Sequence, residues 1–217
     1  MSGPNADEQF DPGAGPAPMS MAGSPASGTA VDPSDFPEVA GYHVSGFIGS
    51  GGMSSVWRAM QVSTGRHVAL KLMGGVLFGS KAARARFERE VELIARLNHP
   101  NIAQIYDSGV SRGVYYYAME LIEGRHLDQY VRDHGLSLRQ TLQLLRKLCL
   151  ALEHAHQRGV IHRDLKPTNI VVSDDGEPHL LDFGLARDAE PEGRGLSVSR
   201  AGDVAGTVVY MAPEQAA

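Results

Sequence analysis

The chain has one cysteine, Cys149, in 217 residues, so no intramolecular disulfide can form. Nothing therefore points to an oxidising compartment. Long hydrophobic runs are missing too: no stretch approaches the roughly 18 uninterrupted apolar residues of a membrane span, and the N-terminus lacks the basic and apolar blocks of a secretion signal. The residues read as those of a soluble, cytoplasmic protein, with no membrane contact indicated. Positive charge is absent from the first 41 residues, which hold six acids and no Lys or Arg, while residues 42–217 carry 20 bases against 19 acids. That near-neutral remainder gives no electrostatic footprint for nucleic acid.

The first 40 residues contain 24 Gly, Pro, Ala or Ser and seven of the twelve prolines. So little apolar side-chain area cannot offset the entropy of ordering the backbone, and residues 1–41 are expected to form a disordered acidic arm. From Tyr42 the pattern becomes strands, expected over Tyr42–Ile48, Ser55–Ala59 and His67–Met73 and separated by the glycines 49, 51 and 52 and by Ser63-Thr64-Gly65. A helix follows over Lys81–Leu97, where Phe87, Val91, Ile94 and Leu97 recur at helical spacing until Asn98-His99-Pro100. Two further runs, Ile102–Tyr106 and Val114–Met119, complete a five-stranded sheet with one helix.

A second long helix opens at Ser137, with Gln140 placed for a capping box and Gly159 for the C-terminal cap. Its expected core stripe is Leu138, Leu142, Leu145, Cys149 and Leu152, which makes Cys149 a buried, inert thiol. Ile170–Val172 and His179–Asp182 then form a hairpin across Ser173-Asp174-Asp175-Gly176.

The segment Ile48-Gly49-Ser50-Gly51-Gly52-Met53-Ser54-Ser55-Val56 can cover a phosphate, because backbone N–H groups approach an anion where side chains are missing. Alone it is also an ordinary hairpin loop. Lys71 follows on a strand, 15 residues after Val56, and needs a carboxylate to hold it. Of Glu88, Glu90 and Glu92, Glu90 lies beside the apolar stripe of its helix, while the other two belong to a solvated face with Arg84, Arg86 and Arg89.

The most specific stretch is His162-Arg163-Asp164-Leu165-Lys166-Pro167-Thr168-Asn169, followed by Asp182-Phe183-Gly184 and Ala212-Pro213-Glu214. In this order, and with Lys71 and the glycine loop before them, they resemble the protein-kinase signature. The wording around them resembles the eukaryotic-type Ser/Thr kinases of bacteria. Ser54 stands where the family's glycine loop usually has a third glycine.

The resemblance implies a two-lobed α+β fold, with a small lobe and hinge over residues 42–122 and part of a larger helical lobe over 123–217. It implies ATP and Mg²⁺, with Mn²⁺ able to replace it, and protein substrates with Ser or Thr acceptors. Lys71 would pair with Glu90 and reach the phosphates, Asp164 would accept or orient the substrate hydroxyl, and Lys166 would steady the transferred phosphate. Asn169 and Asp182 would ligate the metal as hard oxygen donors. Val56, Ala69 and Val171 would wall the adenine, with Met119 as gatekeeper and Glu120 to Ile122 as the hinge. Arg163 before Asp164 implies control by phosphorylation of the following loop, with Ser197 and Ser199 as acceptors. Thr207 and Lys166 imply the Ser/Thr branch.

Two alternatives stand beside this reading. The family's domain continues past Ala-Pro-Glu, so the chain can instead be a truncated, catalytically impaired fragment that binds nucleotide or a partner, with a large exposed apolar patch. A small-molecule phosphotransferase shares the His-x-Asp loop, but Lys166, Phe183-Gly184 and Ala-Pro-Glu belong to the protein-kinase pattern.

Overall fold

The computed structural model describes residues 36–51, 54–74 and 80–184. Residues 1–35 of the arm expected over 1–41, Gly52 and Met53, and the segment from Leu185 through Ala-Pro-Glu, with Ser197, Ser199 and Thr207, lie outside them. The chain described first, residues 36–41, packs on the sheet: Val39 is buried, its carbonyl accepts from Tyr42 N at 3.0 Å, and the Phe36 ring meets Trp57 edge-on at 5.9 Å.

Strands β1 (Tyr42–Gly51), β2 (Ser54–Gln61), β3 (Arg66–Met73), β4 (Ile105–Ser111) and β5 (Val114–Glu120) form one antiparallel sheet in the order β1-β2-β3-β5-β4. The period of two divides its faces. Val68, Leu70 and Leu72 of β3 join Tyr42, Val44, Ala59 and Ala118 in an outer cluster, whereas Ala69 and Met73 face an inner one with Tyr115, Tyr117 and Met119. Lys71 shares the parity of Ala69 and Met73, so the alternation that builds the core also turns its amine inward.

Helix α1 (Lys81–Ala95) begins at Ser80, whose side chain accepts from Ala83 N; Ala83 is buried, and Phe87, Val91 and Ile94 are buried in the inner cluster. Glu88 and Glu92 are exposed and Glu90 is half-buried, as the helical phase requires. The strand expected over Ile102–Tyr106 is displaced: β4 starts at Ile105, and Asn101 and Ala103 ahead of it bond to the other lobe instead. Ala103 N donates to Leu180 O at 3.0 Å, Leu180 N to Asn101 O at 2.9 Å, and the buried Asn101 amide to Pro178 O at 2.8 Å. These backbone groups are satisfied outside the sheet, so no ladder is needed there.

The second lobe comprises β6 (Gly124–His126), α2 (Leu127–Asp133), α3 (Leu138–His156), β7 (Ile170–Ser173) and β8 (Pro178–Leu180), the strands pairing in the order β6-β7-β8. The capping box forms: Ser137 accepts from Gln140 N at 3.4 Å, and the Gln140 side chain accepts from Ser137 N at 2.9 Å. Ser137→Ala should cost about 1 kcal/mol, read as a lower urea midpoint at unchanged slope.

The expected stripe on α3 is overturned. The buried residues are Leu144, Leu148, Ala151 and Ala155, while Leu138 is 76% exposed, Leu142 and Leu145 are exposed, and Cys149 is a free, exposed thiol rather than a buried one. Leu152 alone of the expected set packs against the core. The true stripe is shifted by one residue, roughly 100° round the helix. Both phases are apolar in this sequence, and the alanines of the buried phase admit the close approach of Val160, Ile170 and Leu180 in the inner cluster.

Candidate active site

Strand β3 delivers Lys71 to the inner face, and its register places Tyr117 of β5 directly opposite. The ammonium Nζ lies 2.8 Å from Asp182 Oδ2, with the two side chains 14% and 20% exposed. Tyr117 is buried, and its hydroxyl donates to Asp182 Oδ1 at 2.6 Å. Each oxygen of the Asp182 carboxylate therefore has its own donor. Burial opposes the charge on Asp182, but the Lys71 ammonium and the hydrogen bonds from Lys71 and Tyr117 outweigh it and hold the carboxyl below its usual range. Burial, reinforced by the Asp182 charge and hydrogen bond, pushes the Tyr117 phenol well up, so it remains a donor.

The Lys71–Glu90 pair expected from the sequence is not formed. Glu90 Oε1 instead accepts from Arg163 Nη1 at 3.1 Å. Lys71 already has a counter-charge in Asp182, and the Glu90 face of α1 meets the loop that carries Arg163. Burial raises the pKa of Glu90 even beside Arg163 and Arg86.

The loop from His162 to Asn169 is held by its own bonds. Lys166 Nζ lies 3.0 Å from Asp164 Oδ2, and the buried Asn169 amide donates to the same oxygen at 2.9 Å and to the Asp164 carbonyl at 2.8 Å. Asp164 Oδ1 is left without a partner among the described residues and is the atom available to a proton. Burial pushes the His162 imidazole down, so it is neutral; its Nε2 donates to Leu181 O at 2.9 Å, and its ring lies 4.6 Å from Phe183. The His162 carbonyl accepts from Asp164 N at 2.8 Å and Gly184 N at 2.9 Å, which ties the loop to the Asp182 segment. Arg163 and Asp182 have φ of 61° and 51°. Such left-handed conformations cost of order 1–3 kcal/mol and collect at sites that need a fixed aim.

Of the expected adenine wall, Ala69 and Met119 are buried in the inner cluster with Val56 packed against it, and Val171 is buried on β7. Glu120 ends β5 and its N–H donates to Gln104 O at 2.8 Å; Ile122 is half-buried. Ile48, Ser50 and Gly51 are exposed and Gly49 half-exposed on the β1–β2 hairpin, where Gly49, Ser50 and Gly51 pair with Val56, Ser55 and Ser54. Among the described residues no group of three or more His, Cys, Asp or Glu gathers as a metal cage. Asp182 and Asn169 offer two hard oxygen donors, which fits Mg²⁺ or Mn²⁺ that takes its remaining ligands from phosphates and water.

The protein kinase domain profile matches residues 42–216. The chain belongs to the protein kinase family. Curated relatives of this kinase chain are bacterial Ser/Thr kinases. Serine/threonine-protein kinase pkn3 of Myxococcus xanthus is 41% identical over 181 residues, covering 81% of this chain and 33% of that protein. PknA of Mycobacterium tuberculosis is 38% identical, with 81% and 41% covered. The chain thus spans well under half the length of these relatives. The solved kinase domain of Mycobacterium tuberculosis PknI is similar at 33% identity and TM-score 0.60, over 67% of this chain and 60% of that one. The two-lobed kinase fold agrees with the expectation from sequence. No described helix of the kinase is long and apolar enough to cross a membrane.

Sequence reasoning missed Tyr117 and the Arg163–Glu90 pair. A signal for Tyr117 existed, since it stands two residues before Met119 and so shares its face of the strand. The register that sets it opposite Lys71 had none.

Proposed function

We propose that this protein transfers the γ-phosphate of ATP to Ser or Thr hydroxyls of cytoplasmic proteins, as a signalling kinase. The observation that carries the reading is a pair of charged clusters, Lys71 with Asp182 and Asp164 with Lys166 and Asn169, whose segments are tied together through the His162 carbonyl. Phosphoryl transfer asks for positioning and neutralisation of charge, since its transition state spreads charge over the phosphoryl oxygens.

Asp164 Oδ1 would take the proton of the attacking hydroxyl, or hold that hydroxyl in line, while Lys166 and the Asn169 amide hold the carboxylate in place through Oδ2. Lys166 would also steady the phosphate in transit. Lys71 would exchange Asp182 for the nucleotide's phosphates, and Glu90 is the carboxylate on α1 that would then receive it. A bound Mg²⁺ would be held by Asp182 and Asn169 and would neutralise phosphate charge. Val56, Ala69, Met119 and Val171 would wall the adenine, backbone groups at Glu120 and Ile122 would bond its edge, and the residues 48–54 would cover the phosphates.

Arg163 is a guanidinium that a dianionic phosphate on Ser197 or Ser199 would attract away from Glu90. Release of Glu90 toward Lys71 would couple that modification to the site. Thr207, before Ala-Pro-Glu, supports the Ser/Thr assignment.

The test is acceptor choice. With γ-labelled ATP and Mg²⁺, the full-length protein should place label on Ser or Thr of casein. Label that appears only on a small alcohol, or on no acceptor at all, would sink the proposal.

A further inference from the structure

Tyr117 belongs to neither the adenine wall nor the charged groups assigned above, yet its hydroxyl ends on the carboxylate assigned to the metal. We infer that Tyr117 is a positioning residue for Asp182: its hydroxyl anchors Oδ1 and so presents Oδ2, the oxygen held by Lys71, to the divalent metal. The inference rests on the proposed kinase reading.

The two donors on Asp182 differ in kind. Lys71 is a point charge on a flexible stem, with three donors that can turn to other acceptors. Tyr117 is a rigid ring packed in the inner cluster, with its hydroxyl aimed at Oδ1 at 2.6 Å. Were Asp182 to turn away, that buried hydroxyl would be left without its acceptor, which is costly. Lys71 can leave the carboxylate and Tyr117 cannot. A donor that fixes the orientation of a ligating carboxylate acts as the outer support of a metal site, and losing such a support weakens metal binding by 10–100-fold.

Affinity of the full-length protein for ATP, measured by calorimetry with Mn²⁺ and again with EDTA, separates the metal's contribution from the nucleotide's. Wild type should bind ATP more tightly with Mn²⁺. Tyr117→Phe should cut that metal-dependent gain about tenfold while the affinity in EDTA stays within twofold, because only a hydroxyl has been removed. Tyr117→Met refills the ring's space without a donor and should show the same metal-specific loss, with thermal melts reporting on folding. A gain in Tyr117→Phe equal to or above wild type overturns the inference, as does an equal loss in both conditions, which is the mark of a packing role alone. Asp182→Asn keeps the two failures apart. If it abolishes the gain and Tyr117→Phe does not, the metal site stands and the role of Tyr117 falls. If Asp182→Asn retains the wild-type gain, Asp182 is not a metal ligand and both readings fall.

Discussion

Asp164→Asn should lower phosphate transfer from ATP to protein by about 10²–10⁴-fold, the usual contribution of a positioned general base. The asparagine keeps the shape of the side chain, so Lys166 and the Asn169 amide can still meet an oxygen there, at 3.0 Å and 2.9 Å in the wild type. What disappears is the negative charge, and with it the basic Oδ1. The nucleotide contacts proposed for Lys71 and the adenine wall are untouched, so the affinity for Mg-ATP should stay within about threefold while turnover falls, a loss confined to the transition state. The measurement is labelled-phosphate transfer at saturating ATP, with nucleotide affinity from calorimetry. An Asp164→Asn protein that keeps more than a tenth of the wild-type rate would remove Asp164 from the chemistry.

The largest effect on stability is expected at a glycine, where β6 follows the hinge. Gly124 pairs with Ser173 of β7, and a Cβ built on it would stand 2.1 Å from the Val172 carbonyl oxygen and 2.8 Å from Ser173 Cα. These are backbone atoms, so the strand itself would have to move. Gly124→Ala should therefore destabilise by about 3 kcal/mol, at the upper end for overpacking, and lower the melting temperature by roughly 6–12 °C for a domain of this size. Moving β6 also disturbs Val171, whose partner on β6 is His126, and the weakening of ATP binding should accompany the lower melt. Gly49→Ala is the control: no atom of the described residues lies within 4 Å of its Cβ position, and its melt should match wild type. Equal melts for the two variants would mean that β6 does not approach β7 as closely as described.

The residue types that do chemistry were readable from spacing because the loop around Asp164 is short-range. Asn169 is only five residues from Asp164, and the bonds that hold the pair are made within that span. Local turn geometry settles such contacts, and sequence order records them. The Ser137 capping box and the β7–β8 turn belong to the same class. The failures were all choices between two locally equivalent answers. On α3 both the phase through Leu145 and Cys149 and the phase through Leu144 and Leu148 are apolar, and only the elements packed against the helix select one. Residues 102–104 look like strand by composition, but Ile102 N donates to His99 O and Ala103 N to Leu180 O, and the Gln104 carbonyl meets β5 through Glu120 N.

The site shows the same division. That Lys71 points inward follows from the period of two along β3. Which carboxylate it meets does not, because Glu90 and Asp182 are far apart in sequence and both are suited to a lysine. The sequence by itself determined the family, the order of the motifs, the inner face of the sheet and the residues able to handle phosphate. Only the tertiary structure decided the pairings: Lys71 with Asp182 Oδ2, Glu90 with Arg163, and Tyr117 with Asp182 Oδ1. Charge and hydrogen-bond partners compete across space, and the outcome depends on strand register and helix placement that no local pattern encodes.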